Sequence, residues 1–176
     1  RGNDRRATHL KILRCGLRDA RNGDGAYADP LLLRFVSHAL VEDTYIWGNG
    51  RYRFYLLDCD RVILRRCIDR YDRGTSIGYG NQASLRIYGS NECLLQNCIS
   101  IDAASLGYIQ EHNPGGSPKA AVAKGIWFSD NGSTDNPCKN NLAQGCLFFN
   151  LPRFLGGVAH QMAMDNTGNR IENSLF

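Results

Sequence analysis

The residues of this 176-residue chain able to do chemistry are seven cysteines, four histidines, an arginine-rich stretch and several closely spaced carboxylates. The cysteines stand at 15, 59, 67, 93, 98, 138 and 146 without a CxxC or CxxCH, so the usual signatures of zinc ribbons, thioredoxin-like sites and c-type haem attachment are missing. His9, His38, His112 and His160 are scattered, and no two share a metal-ligand spacing. His112 lies in the Gly/Pro-rich run EHNPGGSPK, where an exposed imidazole can act as base or ligand. The run DNGSTDNP offers Asp130, Asn131, Asp135 and Asn136 but lacks the spacing and closing Glu of an EF-hand. It reads as a turn-rich excursion; calcium has no motif here, and no cofactor or metal is expected. NGS at 131–133 matches a glycosylation sequon, meaningful only in a eukaryotic secretory setting.

Paired carboxyl groups about 5–9.5 Å apart are what glycoside hydrolysis requires. The candidate pairs are Asp58 with Asp60, Asp69 with Asp102, and Asp130 with Asp165. The last two follow the strand-like runs GIWFSD and HQMAMD at equivalent places, which would set them on one face. Asp at the end of a strand is also ordinary turn chemistry. The basic stretch RYRFYLLDCDRVILRRCIDRYDRG holds Arg51, Arg53, Arg61, Arg65, Arg66, Arg70 and Arg73, interleaved with Tyr52, Tyr55 and Tyr71. Guanidinium groups match carboxylate and sulfate bidentately, and the tyrosines can stack on sugar rings. Arg65 and Arg66 have a competing role as partners of Glu42 and Asp43 one repeat earlier. Arg70, Arg73 and Tyr71 are the better ligand-binding candidates, with Arg70 also a catalytic candidate beside Asp130 and Asp165.

These residues must be positioned by elements, and the elements repeat. LKILRCGL, ALVEDTYI, VILRRCID, CLLQNCIS, NLAQGCLF and NRIENSLF align so that Cys15, Thr44, Cys67, Cys98, Cys146 and Ser174 form one column of small residues. Three residues before it stand Ile12, Val41, Leu64, Leu95, Ala143 and Ile171, all apolar; directly before it stand Arg14, Asp43, Arg66, Asn97, Gly145 and Asn173, suited to a turn or to solvent. The column steps are 29, 23, 31, 48 and 28 residues, within the range of solenoid units. The 48-residue step is explained by an inserted loop near 107–124, marked by its Gly, Pro and small residues. A second strand-like run, as in RFYLLD and SLRIYGS, precedes the later copies, leaving no room for a ten-residue helix. An all-β parallel β-helix of about six rungs is predicted over 1–176 as one domain. Stacked rungs sit about 4.8 Å apart, which turns interior positions into ladders of like residues.

The ladder explains the cysteines as small buried hydrophobes exchanging with Thr and Ser. Cys93 takes the place of Val62 in the preceding copy. Cys59 and Cys138 are two rungs apart, about 9.6 Å, too far for a disulfide.

The repeats CLLQNCIS and NRIENSLF resemble those of right-handed parallel β-helix proteins of the pectate-lyase-like superfamily, over residues 9 to 176. The resemblance implies a three-faced coil with loops at its turns, a secreted or cell-surface location, and a polysaccharide or other glycan as partner. An enzyme of this kind would be a polysaccharide lyase or glycoside hydrolase. Other relatives are structural or adhesive rods, and end-to-end self-association is the alternative expectation. The Asn-Thr-Asp, Asp-Asp and Gly-His-Gly elements of the family's polygalacturonases do not occur in the chain. A net charge of +4 gives no reason to expect nucleic acid, and no apolar run reaches the roughly 18 residues of a membrane span. The chain begins without Met, which suggests an excised or processed piece.

Overall fold

The structure, a computed structural model, describes residues 6–18, 29–48, 52–71, 83–102, 124–129, 137–149, 158–160 and 167–175. Every regular element among them is a strand. Coil one comprises β1 (Ala7–Thr8), β2 (Lys11–Leu13) and β3 (Gly16–Arg18); coil two comprises β4 (Leu31–Arg34), β5 (Val36–Glu42) and β6 (Tyr45–Gly48). Coil three is β7 (Tyr52–Leu57), β8 (Asp60–Arg65) and β9 (Ile68–Tyr71); coil four is β10 (Ala83–Tyr88), β11 (Leu94–Gln96) and β12 (Ile99–Asp102). Coil five is β13 (Lys124–Ser129), β14 (Leu142–Gln144) and β15 (Leu147–Phe149), and coil six holds β16 (Val158–His160) and β17 (Arg170–Glu172).

Strands of successive coils pair side by side into three parallel sheets. The first runs β1-β5-β8-β11-β14-β17 with β2 also on β5, the second β15-β12-β9-β6-β3, and the third β16-β13-β10-β7-β4. The fold is therefore the predicted parallel β-helix, with three strands per coil where the repeat alignment resolves two. The missed strand lies just past the small column, where a two-residue bend separates sheet from sheet.

The register confirms the columns residue by residue. Ile12, Val41, Leu64, Leu95, Ala143 and Ile171 are successive partners in the first sheet, and Val41, Leu64, Leu95 and Ala143 are fully buried. Burying one such aliphatic side chain is worth about 1.5–3 kcal/mol. Pairing of Tyr45 with Gly16 and Ile68, of Ile68 with Ile99, and of Ile99 with Leu147 puts Cys15, Thr44, Cys67, Cys98 and Cys146 in one stack. Its residues hydrogen-bond alike: Thr44 Oγ1 donates to Glu42 O, Cys98 Sγ to Gln96 O and Ser174 Oγ to Glu172 O. Cys59 and Cys138 belong to another such stack, with Ser90 between them, since Asn91 bridges Asp60 and bonds Lys139. All seven cysteines are free thiols.

The bends themselves are single left-handed residues. Arg14, Asp43, Arg66, Asn97 and Asn173 have φ between 47° and 53°, and Gly145 completes their column at 63°. A left-handed conformation costs a residue with a Cβ roughly 1–2 kcal/mol, least for Asn and Asp. At Gly145 a Cβ would lie 2.4 Å from Asn97 Oδ1, so the Asn97 carboxamide occupies the space the glycine leaves. A second bend column runs His9, His38, Arg61, Glu92, Asn140 and Gly168, again with positive φ throughout.

Inside the coil, the corner between second and third sheets is filled differently in each of three coils. Coil three places Arg53 against Asp69 at 3.0 Å, both buried. Coil four places Ser84 and Ser100 there, each buried and each bonded to that pair. Coil five uses Gly125 and Phe148; a Cβ on Gly125 would be 2.4 Å from the Phe148 ring.

Candidate functional site

The second sheet has alternate residues facing out, and two outward columns emerge from its register. One reads Gly16, Tyr45, Ile68, Ile99, Leu147; the other reads Arg18, Trp47, Arg70, Ile101, Phe149. The intervening column, Ile46, Asp69, Ser100 and Phe148, is buried. Tyr45 and Trp47 stack at 4.9 Å with their planes 18° apart. A Cβ on Gly16 would sit 3.2 Å from the Trp47 ring, so the indole lies close against the neighbouring coil. Arg18 and Arg70 are exposed and share the column of half-buried Trp47 on its two sides. The face thus offers a fixed aromatic platform flanked by guanidinium groups. Such a platform can stack on the apolar side of a sugar ring while Arg binds a carboxylate or sulfate.

Of the sequence-derived site residues, the structure describes Arg70 and Tyr71. Arg70 stands on this face, and Tyr71 ends β9 in register with Gly48 and Asp102. Asp130, Asp165, Arg73 and His112 lie outside the described residues. The strand that pairs with Ile126–Phe128 is Val158–His160. Of HQMAMD only His160 is described, in register with Phe128, so the expected equivalence of Asp130 and Asp165 lies outside the described residues.

The other carboxylates and arginines are sorted by their partners. Asp69 pairs in register with Ser100, and Asp102 with Tyr71. Burial pushes the Asp69 carboxyl up, opposed by the Arg53 charge and the hydroxyl of Ser100. Asp58 is buried at a bend and Asp60 is bonded by Arg61 at 2.8 Å. Arg61 also reaches Glu92 at 2.8 Å. Arg65 Nε donates to Glu42 at 2.6 Å and Arg66 Nε to Asp43 at 2.8 Å, the cross-coil pairs expected from register. The Arg65 hydrogen bond holds Glu42 below the usual carboxylate range, and Arg66 does the same for Asp43. Arg53, counted in sequence among the surface arginines, is instead fully buried, because at this corner the chain directs it inward onto Asp69.

Sequence reasoning missed Arg18, Tyr45 and Trp47. A signal was present: Arg18, Trp47 and Arg70 each stand three residues past a member of the small column, Cys15, Thr44 and Cys67. It also missed Arg86, which lies 3.6 Å over Trp127 and 4.5 Å over Tyr88 on the third sheet. Arg86 is 5% exposed and donates to Ser129 at 2.8 Å, lying beneath the half-buried rings of Tyr88 and Trp127.

Among the described residues, no three His, Cys, Asp or Glu side chains come together to hold a metal ion. Among the same residues, no helix is long and apolar enough to cross a membrane. Comparison of the chain with family models, with curated proteins and with solved structures gives no match.

Proposed function

We propose that the protein is a β-helix module of pectate-lyase-like type that binds an acidic polysaccharide along the outer face of its second sheet, outside the cell or at its surface. The observation that carries this reading is the column Arg18, Trp47, Arg70, with Tyr45 stacked on Trp47. The rings take the sugar faces; Arg70 and Arg18 take the acidic groups. Coils stacked about 4.8 Å apart present these groups as a line, which suits a linear polymer. Asp130, Asp165 and Arg70 are the residues proposed for cleavage, if the bound chain is cut.

Affinity electrophoresis against polygalacturonate, a sulfated glycan and a neutral glucan tests the reading. Retardation by an acidic polymer, weakened about tenfold in Arg70→Ala and in Trp47→Ala, supports it. No retardation by any of the three overturns it. Release of reducing ends or of 235 nm-absorbing unsaturated product, with Asp130→Ala and Asp165→Ala as controls, decides whether binding leads to bond cleavage.

A further inference from the structure

A second surface feature lies on the first sheet, around the bend that precedes β2. A half-open hollow of about 330 Å3 opens there, within the size range of small-molecule sites. Its floor is apolar, formed by Leu10, Leu40 and Ile63. Its rim carries His9, His38 and Lys11, all three exposed. The two imidazoles belong to successive coils and lie parallel, 5.8 Å apart with planes 13° from each other. Ser37 Oγ is 2.9 Å from His38 Nδ1; a hydroxyl donating to Nδ1 leaves the proton on Nε2, a donor for an anion. Arg61 also borders the hollow, but its guanidinium is answered by Asp60 and Glu92, each at 2.8 Å. Among the described residues, no carboxylate lines the hollow. Among the described residues, the lining groups left without an acidic partner are therefore the Lys11 ammonium and the two imidazoles, above an aliphatic floor.

We propose that this hollow binds a small amphipathic anion, its carboxylate or phosphate head held by Lys11, His9 and His38 and its apolar body laid on Leu10, Leu40 and Ile63. The inference is independent of the glycan-binding face, which lies on another sheet. A polymer of sugar acids has no aliphatic body to cover such a floor, so the two sites take different ligands.

The test titrates the full chain with 1-anilinonaphthalene-8-sulfonate and displaces the dye with decanoate, decyl phosphate or decanol. Either anion should displace it about tenfold better than decanol, and the better anion names the head group. That displacement should weaken about tenfold in Lys11→Glu and in the His9→Asn/His38→Asn double variant, where Asn tolerates the left-handed bend. Arg170→Glu, at the far end of the outward column that begins with Lys11, should displace the dye as the wild type does. Far-UV circular dichroism checks that each variant keeps its strands, and Lys11→Gln replaces Lys11→Glu if it does not. Equal displacement by decanol, no displacement by any competitor, or wild-type behaviour of both folded rim variants overturns the proposal.

Discussion

Arg53 and Asp69 meet at 3.0 Å with neither side chain open to water, Ser84 Oγ accepting from Arg53 Nη2 and Ser100 Oγ donating to Asp69 Oδ2. Removing two charges from water costs several kcal/mol each, and mutual attraction offsets this only with such hydrogen bonding. Breaking the pair should therefore cost more than replacing it. Asp69→Ala is expected to destabilise by about 3–5 kcal/mol, and Arg53→Met/Asp69→Leu to lie within about 1 kcal/mol of the wild type. Urea titration of both variants checks this; a double variant as unstable as the single one would contradict it. Sequence could not reveal the pair. Arg53 stands among six other arginines, and nothing in its type or spacing distinguishes an inward guanidinium from an outward one.

At the scale of the element, the small column is the most legible feature of the chain. Only a small side chain fits where each coil turns from first sheet to second, and Cys, Thr and Ser all satisfy that and bond the same carbonyl. Hydrogen bonds shared along the stack hold the Cys98 thiol well above its ordinary value and those of Cys67 and Cys146 below. Cys98→Ser is expected to fold with a loss of about 1 kcal/mol or less, within the cost of a conservative buried change. Cys98→Arg, leaving an unpaired charge at a position 2% exposed, should not fold. Circular dichroism of the two purified proteins decides; an unfolded Cys98→Ser would show that the thiol stack itself is required. The ion pairs beside the column make a separate prediction. Glu42 and Asp43 titrate below their unfolded values, so their contribution is present above about pH 4 and is lost as pH falls through the folded values. Arg65→Gln/Arg66→Gln should lower the melting temperature at pH 7, and the gap should close towards pH 2. A gap independent of pH would remove the ion pairs from the account.

Over the whole molecule, the coil architecture followed from one column of like residues because stacking forces like onto like. The candidate face was only half legible. Arg70 and Tyr71 were singled out as neighbours of a basic run, whereas Trp47 and Arg18 join Arg70 only through the register between coils. The binding predicted for that face is correspondingly a property of three coils together, and Trp47→Ala should weaken it as Arg70→Ala does. Residues 107–123 of the inserted loop expected near 107–124 lie outside the described residues, between β12 and β13. The 48-residue step divides between a connection of 21 residues from β12 to β13 and one of 12 from β13 to β14, where the coil before has 11 and 5.

By contrast, five coils pass from first sheet to second through two residues and no more. A coil could thus be excised as a cassette, joining Cys67 directly to Ile99, and the backbone would meet itself in register. The side chains would not: that junction sets Arg53 beside Ser100 and discards Asp69, leaving an interior cation with no countercharge. The coils are interchangeable as backbone and individual as interior, and in coils three to five the Arg53–Asp69, Ser84–Ser100 and Gly125–Phe148 corner carries that individuality.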